Sequence, residues 1–346
     1  MSKTILIDAS NSEQTRIAIT VNDKLDDFEI EPNKKNSVKG DVYLAKITRV
    51  EPSLQAAFVD FGANRNGFLP LTEIHPDYFK IPSADKEEVQ KLYDKLVDND
   101  EGAEESEKQL TKDQDDEINE EDSEKEDSSE IKKVKINNPK KNYINYFKKY
   151  KIQDVVKPRQ VLLVQVNKEE RGLKGAALTT FLSFAGRYCV LMPNSLNNDG
   201  ISRKIGDIEE RKKLKQIITS VNIPEKMSVI IRTAGIGKTK KEIAKDLAFL
   251  ISQWNKIRQL TIKSEAPELI YEEGNILKRA IRDMLTEDVK SILVEGKEAF
   301  DNIKKHSKNL TPSQTKKIKI HKNNEKSLYA LHNIENQINN LFSLTV

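Results

Sequence analysis

Short runs of apolar residues at the two-residue period of β-strands dominate the first part of the chain. Thr4-Ile-Leu-Ile-Asp, Arg16-Ile-Ala-Ile-Thr-Val and Phe28-Glu-Ile-Glu are three of them, and Asn22-Asp-Lys reads as the hairpin turn before the third. A ribbon of this kind cannot bury both of its faces, so it predicts a partner from later in the chain. From Gly40 to Tyr78, β-rich runs are separated by turn residues, and Gln160-Val-Leu-Leu-Val-Gln-Val adds a strongly β-branched strand. With Gly175-Ala-Ala-Leu-Thr-Thr closing the sheet, these runs predict a small five-stranded antiparallel barrel.

Beyond the barrel the period lengthens. Phe181 to Met192 is apolar, Pro193 to Gly206 is a polar loop, and Val229-Ile-Ile-Arg-Thr reads as a buried strand running into a glycine-rich turn. Thr239-Lys-Lys-Glu242 has capping-box spacing, and Ile243, Leu247, Leu250, Trp254 and Ile257 then recur at helical intervals. From Asn275 onward the pattern predicts a helix to Leu285, a strand at Ser291–Glu295, a helix over Ala299–Lys308, a strand at Lys317–Ile320 and one last helix over Leu328–Leu344. In that last helix Leu331, Ile334, Ile338 and Leu341 share a side.

Between Ser83 and Asn138 periodicity is lost. Lys86–Val97 has room for one short helix, but Asp98–Glu130 holds 17 acidic residues against 3 lysines, a balance of −14. The remainder of a chain whose net charge is +3 therefore carries +17. A tract so acidic and so poor in apolar residues cannot offset the entropy of ordering, whereas the basic remainder favours a polyanionic partner. Lys140, Lys141, Tyr143, Tyr146, Phe147, Lys148, Lys149 and Tyr150 follow as a basic-aromatic run, which fits rings packed on the barrel with lysines in water better than a dedicated RNA contact.

At 346 residues and 37% hydrophobic composition the chain has room for two or three domains. No apolar run reaches the roughly 18 residues of a membrane span, and Met1-Ser-Lys-Thr leads directly into a strand, so the expected location is the cytoplasm. One cysteine, Cys189, cannot form an internal disulfide or a paired metal knuckle and reads as a small core residue. Glu287, Asp288 and Glu295 are too loosely spaced to argue for a metal site.

Two places carry candidate chemistry. If Ala57, Val59 and Phe61 point inward, Phe58 falls on the opposite face, and Phe68 follows the Gly67 turn. With Lys46, Arg49, Arg65 and Lys174 nearby, two outward rings would make a base-stacking platform, although a solitary exposed phenylalanine is commonplace. The second place is Gly235-Ile-Gly-Lys-Thr, which superficially looks like a nucleotide-binding loop. The position where that loop needs its first glycine is Arg232, which excludes it. A strand, turn and helix order still favours an anion at the helix start, with Arg232 able to bind a phosphate and the Thr233 hydroxyl adding a bond. An arginine so placed also serves commonly as a salt-bridge partner.

The run from Gly40 to Leu71 resembles the OB-fold RNA-binding domain of the bacterial ribonuclease E/G family. The similarity continues through Lys168-Glu-Glu-Arg-Gly-Leu-Lys-Gly-Ala-Ala-Leu-Thr-Thr-Phe and Arg232-Thr-Ala-Gly-Ile-Gly-Lys, and covers nearly the whole chain outside the insertion. The resemblance implies an α+β multidomain protein. A ribonuclease H-like subdomain (1–39 and 275–346) would hold two inserted units, an OB-fold barrel (40–180) and a 5′-end sensor domain (181–274). It implies single-stranded RNA as partner, contacted by Phe58, Phe68 and Lys174, with Arg171 a lesser candidate. A 5′-monophosphate would sit on Arg232 and Thr233, supported by Gly186, Val190 and Arg203. The family's cleavage centre uses an Asp-Ile-Asn motif and a further aspartate to hold Mg²⁺, and a cysteine pair shares Zn²⁺ between protomers of a homo-oligomer. Neither motif occurs between Met1 and Val346, so the expectation is an RNA-recognition portion without ligands for either metal and inactive by itself. A non-catalytic RNA-binding protein and a protein-binding scaffold are the competing readings.

Overall fold

The computed structural model describes residues 2–33, 38–82, 149–172, 174–195, 200–224, 227–285, 288–310, 312–322 and 326–341, together with Asp85, Glu87 and Glu88. Apart from those three residues, the expectations for residues 83–138 and for the basic-aromatic run before Lys149 lie outside the described residues.

Strands β1 (Lys3–Asp8), β2 (Gln14–Val21) and β3 (Lys24–Pro32) form the antiparallel ribbon. Its β2–β3 turn places Asn22 and Asp23 at φ 51° and 63°, the left-handed pair that a two-residue hairpin demands and that these residue types tolerate. The barrel follows as β4 (Val42–Glu51), β5 (Ala56–Asp60), β6 (Gly67–Pro70), the single turn α1 (Ile152–Val155), β7 (Val161–Lys168) and β8 (Ala177–Thr179). β4 pairs with both β5 and β7, and a parallel contact of β6 with β8 closes the circuit. Ala57, Val59 and Phe61 point into its core with Ile47, Leu69, Leu162, Val164 and Leu178, as the alternation predicts. Each large aliphatic side chain so buried contributes about 1.5–3 kcal/mol relative to exposure. Tyr150, at the end of the basic-aromatic run, packs its ring against this core.

A second sheet comprises β9 (Phe184–Ala185), β10 (Cys189–Met192), β11 (Gly200–Ile201) and β12 (Ser228–Ile231), in the order β11-β12-β10-β9. Helix α2 (Ile208–Ser220) and the long helix α3 (Lys240–Lys263) accompany it. Ile243, Leu247, Leu250 and Ile257 of α3 are buried, and Leu247 and Leu250 pack on Cys189, Leu191 and Val229. The capping box predicted at Thr239 and Glu242 forms.

The chain then crosses back through β13 (Glu268–Tyr271), a strand too short to signal itself by period, which pairs with barrel strand β4. It continues through α4 (Ile276–Asp283), β14 (Val289–Glu295), α5 (Lys297–Leu310), β15 (Ile318–Ile320), α6 (Leu328–Leu331) and α7 (Ile334–Leu341). β14 lies parallel to β1, so the ribbon finds its partner almost three hundred residues later in a five-stranded sheet ordered β15-β14-β1-β2-β3. Ile5 and Ile7 face α4 and α5, whereas Leu6 faces α6 and α7, so strand alternation distributes the helices over both faces. Within the described residues the predicted last helix is two helices: Asn333, at φ 54°, breaks it, and Leu331 is exposed rather than on the buried side, while the expected stretch 342–344 lies outside the described residues.

Candidate nucleic-acid interface

Phe58 and Phe68 sit directly opposite each other on β5 and β6, half-buried, with ring centroids 6.0 Å apart in an edge-to-face arrangement. Across the other edge of β5, Arg49 pairs with Phe58 and lays its guanidinium 4.9 Å from the ring centroid. Its side chain is 67% exposed, and its nearest acid, Glu51, is 3.9 Å away. The two rings therefore share one face with a cation at their margin.

Glycine makes the adjoining edge possible. A Cβ on Gly175 would stand 2.1 Å from the Asn66 carbonyl oxygen, so only glycine lets the segment that follows Lys174 run against the start of β6. Arg171 and Lys174 exchange backbone hydrogen bonds of 3.1 Å around Gly172, whose φ of 60° suits a glycine, and both side chains are exposed. Arg65 donates to the Gly172 carbonyl at 2.6 Å and draws that turn toward the β5–β6 loop. Lys46 is also exposed, opposite Asp60 on β5. The barrel thus gathers Phe58, Phe68, Arg65, Arg171 and Lys174 along β5, β6 and the β7–β8 turn.

The second candidate place is built differently. Arg232 follows the end of β12; its N–H donates to Tyr188 at 2.8 Å, and its Nη1 donates to the Gly186 carbonyl at 2.7 Å. The same Nη1 lies 2.6 Å from Oδ1 of Asp283, the last residue of α4. Arg232 is thus a salt-bridge partner in this structure, and 29% of its side chain remains exposed. Thr233 and Arg203 are exposed, and Val190 stands half-buried on the strand next to β12.

Gly186 has a definite reason to be glycine, because a Cβ there would lie 2.6 Å from a carboxylate oxygen of Asp246. Asp246, 9% exposed, accepts from the N–H groups of Arg187, Tyr188 and Cys189 at 3.2, 2.8 and 3.1 Å. That cradle fixes the β9–β10 turn and, through it, the carbonyl that aims Arg232. Asp246 escaped sequence reasoning, although a charged residue three positions after Ile243, on the apolar side of α3, is a visible irregularity. Cys189 is buried, and burial together with Asp246 pushes its thiol well above the ordinary range, which suits a core residue rather than a nucleophile.

The helix start, where strand, turn and helix order favours an anion, carries a carboxylate of its own. Glu242 accepts from the Thr239 N–H at 3.0 Å and from its hydroxyl at 2.8 Å, while Thr239 accepts from the Glu242 N–H at 3.3 Å. The helix has supplied its own carboxylate, and the Thr239 N–H holds the Glu242 carboxyl below its ordinary value. An anion from outside therefore competes with Glu242 for this start, and Arg232 is the stronger cationic group at the corner.

Among the described residues, no three His, Cys, Asp or Glu side chains converge as metal ligands. Glu295 accepts from the Leu328 N–H and Asp288 lies 4.0 Å from Lys3, while Glu287 is outside the described residues. No described helix is long and apolar enough to cross a membrane.

Paired rings on a closed five-stranded barrel with basic residues at its rim define a nucleic-acid-binding OB-fold, and residues 38–181 match the S1 RNA binding domain. Residues 183–346 match the Ribonuclease E/G family. The chain is 36% identical to ribonuclease E of Buchnera aphidicola subsp. Schizaphis graminum over 99% of its own length and 29% of that protein's. It is 34% identical to a putative ribonuclease E of Buchnera aphidicola subsp. Baizongia pistaciae, covering 97% of this chain and 67% of the relative. Against ribonuclease G of Escherichia coli the identity is 26%, over 98% of this chain and 56% of that protein. The chain belongs to the ribonuclease E/G family, and it spans less than a third of the first of these relatives.

Proposed function

We propose that this chain is the RNA-recognition portion of a ribonuclease E/G-type endoribonuclease that acts on single-stranded RNA. The observation that carries the reading is the Phe58–Phe68 pair beside Arg49, on a barrel whose β7–β8 turn exposes Arg171 and Lys174, since successive bases stack on such rings without regard to sequence. Arg232 and Thr233, supported by Gly186, Val190 and Arg203, serve as the site for a 5′-monophosphate. Holding that end positions the strand for cleavage elsewhere, an effect on geometry and not on bond breaking. RNA decay and ribosomal RNA maturation in the cytoplasm are the processes this activity serves.

Mg²⁺ at the cleavage centre and Zn²⁺ between protomers of a homo-oligomer belong to the same proposal for the longer enzyme. The described residues offer no ligand set that fits either ion, so no step of hydrolysis is assigned to them. Binding of the chain to a short labelled single-stranded RNA tests the reading. Affinity should fall as salt rises, and Phe58→Ala and Phe68→Ala should each cost about 1–3 kcal/mol. Unchanged affinity in both variants would remove the platform.

A further inference from the structure

Asp283 is in an unfavourable place for its charge. It closes α4, an eight-residue helix whose carboxyl end repels an anion, and Arg232 and Arg282 hold it there. The contact to Arg232, at 2.6 Å, brings together residues from separate parts of the fold, the end of β12 and the end of α4. It uses the guanidinium nitrogen that also donates to the Gly186 carbonyl, so the acid sits on the group assigned to the terminal phosphate. Both side chains stay partly open to solvent, 29% and 32%, so an anion arriving from outside reaches the pair.

We propose that Asp283 is a built-in competitor for Arg232, a carboxylate that occupies the guanidinium and must yield when the 5′-phosphate of an RNA binds. The inference rests on the reading of Arg232 as the 5′-phosphate ligand. Displacement does not strand the acid: Oδ2 of Asp283 is already 3.0 Å from Nη2 of Arg282, which keeps it paired once Arg232 lets go. Arg282 in turn is anchored to Glu273, so the receiving cation is fixed in place. A phosphate monoester carries about −1.5 to −2 at pH 7, more than the single charge of a carboxylate or an internal phosphodiester, which gives the strand's end the advantage in the exchange. Asp283 therefore weakens the grip on the end while leaving it selective.

The test measures affinity for two RNAs that differ only in a 5′-phosphate or a 5′-hydroxyl, using the full chain. Asp283→Asn, which keeps the side chain's shape, should tighten the phosphorylated strand about 5-fold, the equivalent of one partly exposed ion pair, and should raise the phosphate-to-hydroxyl ratio by a similar factor. Asp283→Ala should act in the same direction. In an Arg232→Ala background neither change should move the ratio, which separates competition from a general gain of positive charge. If Arg232→Ala alone abolishes the preference but both Asp283 variants leave the ratio unchanged or lower it, the competitor is refuted while the phosphate site stands. A preference that survives Arg232→Ala in the parent chain refutes the site and the competitor together.

Discussion

The barrel face and the Arg232 corner both present positive charge, but one is open and the other holds its own anion. On the barrel, Arg49 is largely exposed over Phe58, and the Arg171–Lys174 turn projects two exposed cations. At the corner, Arg232 meets Asp283 and Arg282 meets Glu273, so two cations face two acids within a few ångströms. A site built by strand alternation needs little beyond the sheet, because the hydrogen-bond ladder fixes which side chains are neighbours. A site assembled from helix end, strand end and turn needs further groups to hold it, and here those groups are acidic. On the proposed reading, the open site takes weak, repeated stacking along a strand and the filled one a single exchange at its end.

The largest effect that sharpens this contrast is expected at Asp246. Asp246→Ala leaves three N–H groups without their acceptor, two of them on buried residues, and should cost about 3 kcal/mol or more in urea unfolding. Hydrogen exchange should show the loss in the β9–β10 turn, while RNA stacking on the barrel persists. An intact turn in that variant would mean that the corner does not depend on its cradle.

A smaller effect is expected where barrel and corner are joined. Asp41 is 4% exposed and accepts from the Glu273 N–H at 2.9 Å. Burial pushes its carboxyl up from 3.8 to about 6, with Glu272 and Glu273 adding repulsion against the relief of that hydrogen bond. The folded chain thus holds this proton more tightly than the unfolded chain does. Its contribution is present at pH 4 and is lost as pH rises through about 6. Asp41→Asn keeps an acceptor oxygen and cannot lose a proton, so it should stabilise the chain at pH 7 by about 1–2 kcal/mol and flatten the pH dependence above 4. Equal urea midpoints for parent and variant at pH 7 would contradict the assignment.

The smallest effect belongs to Arg49. Arg49→Ala should weaken single-stranded RNA by about 0.5–1 kcal/mol, the worth of an exposed cation on an aromatic ring, and should lower the salt dependence. A loss as large as that of Phe58→Ala would make Arg49 a principal contact and not a margin of the platform.

The same contrast explains what could be read in advance. Alternation at Ala57, Val59 and Phe61 is enough to put Phe58 on the outer face, because a strand leaves each side chain only two directions. Capping-box spacing likewise located the start of α3. Periodicity says nothing about which charges meet across the fold, so Asp283 was not legible as the partner of Arg232, nor was Asp246 as the reason for Gly186. The break at Asn333 was hidden for a related reason: Leu331, Ile334 and Ile338 keep helical spacing across it, and one left-handed asparagine interrupts the helix without disturbing the pattern.

Two separate contacts with one strand, bases on the barrel and phosphate at Arg232, are tested most directly by crossing their variants. Parent, Phe58→Ala, Arg232→Ala and the double variant would be titrated with the same single-stranded RNA bearing a 5′-phosphate or a 5′-hydroxyl. Phe58→Ala should weaken both RNAs by the same factor, Arg232→Ala only the phosphorylated one, and the two losses should add in the double variant. Equal weakening of both RNAs by Arg232→Ala, or no weakening of either by Phe58→Ala, would contradict the account.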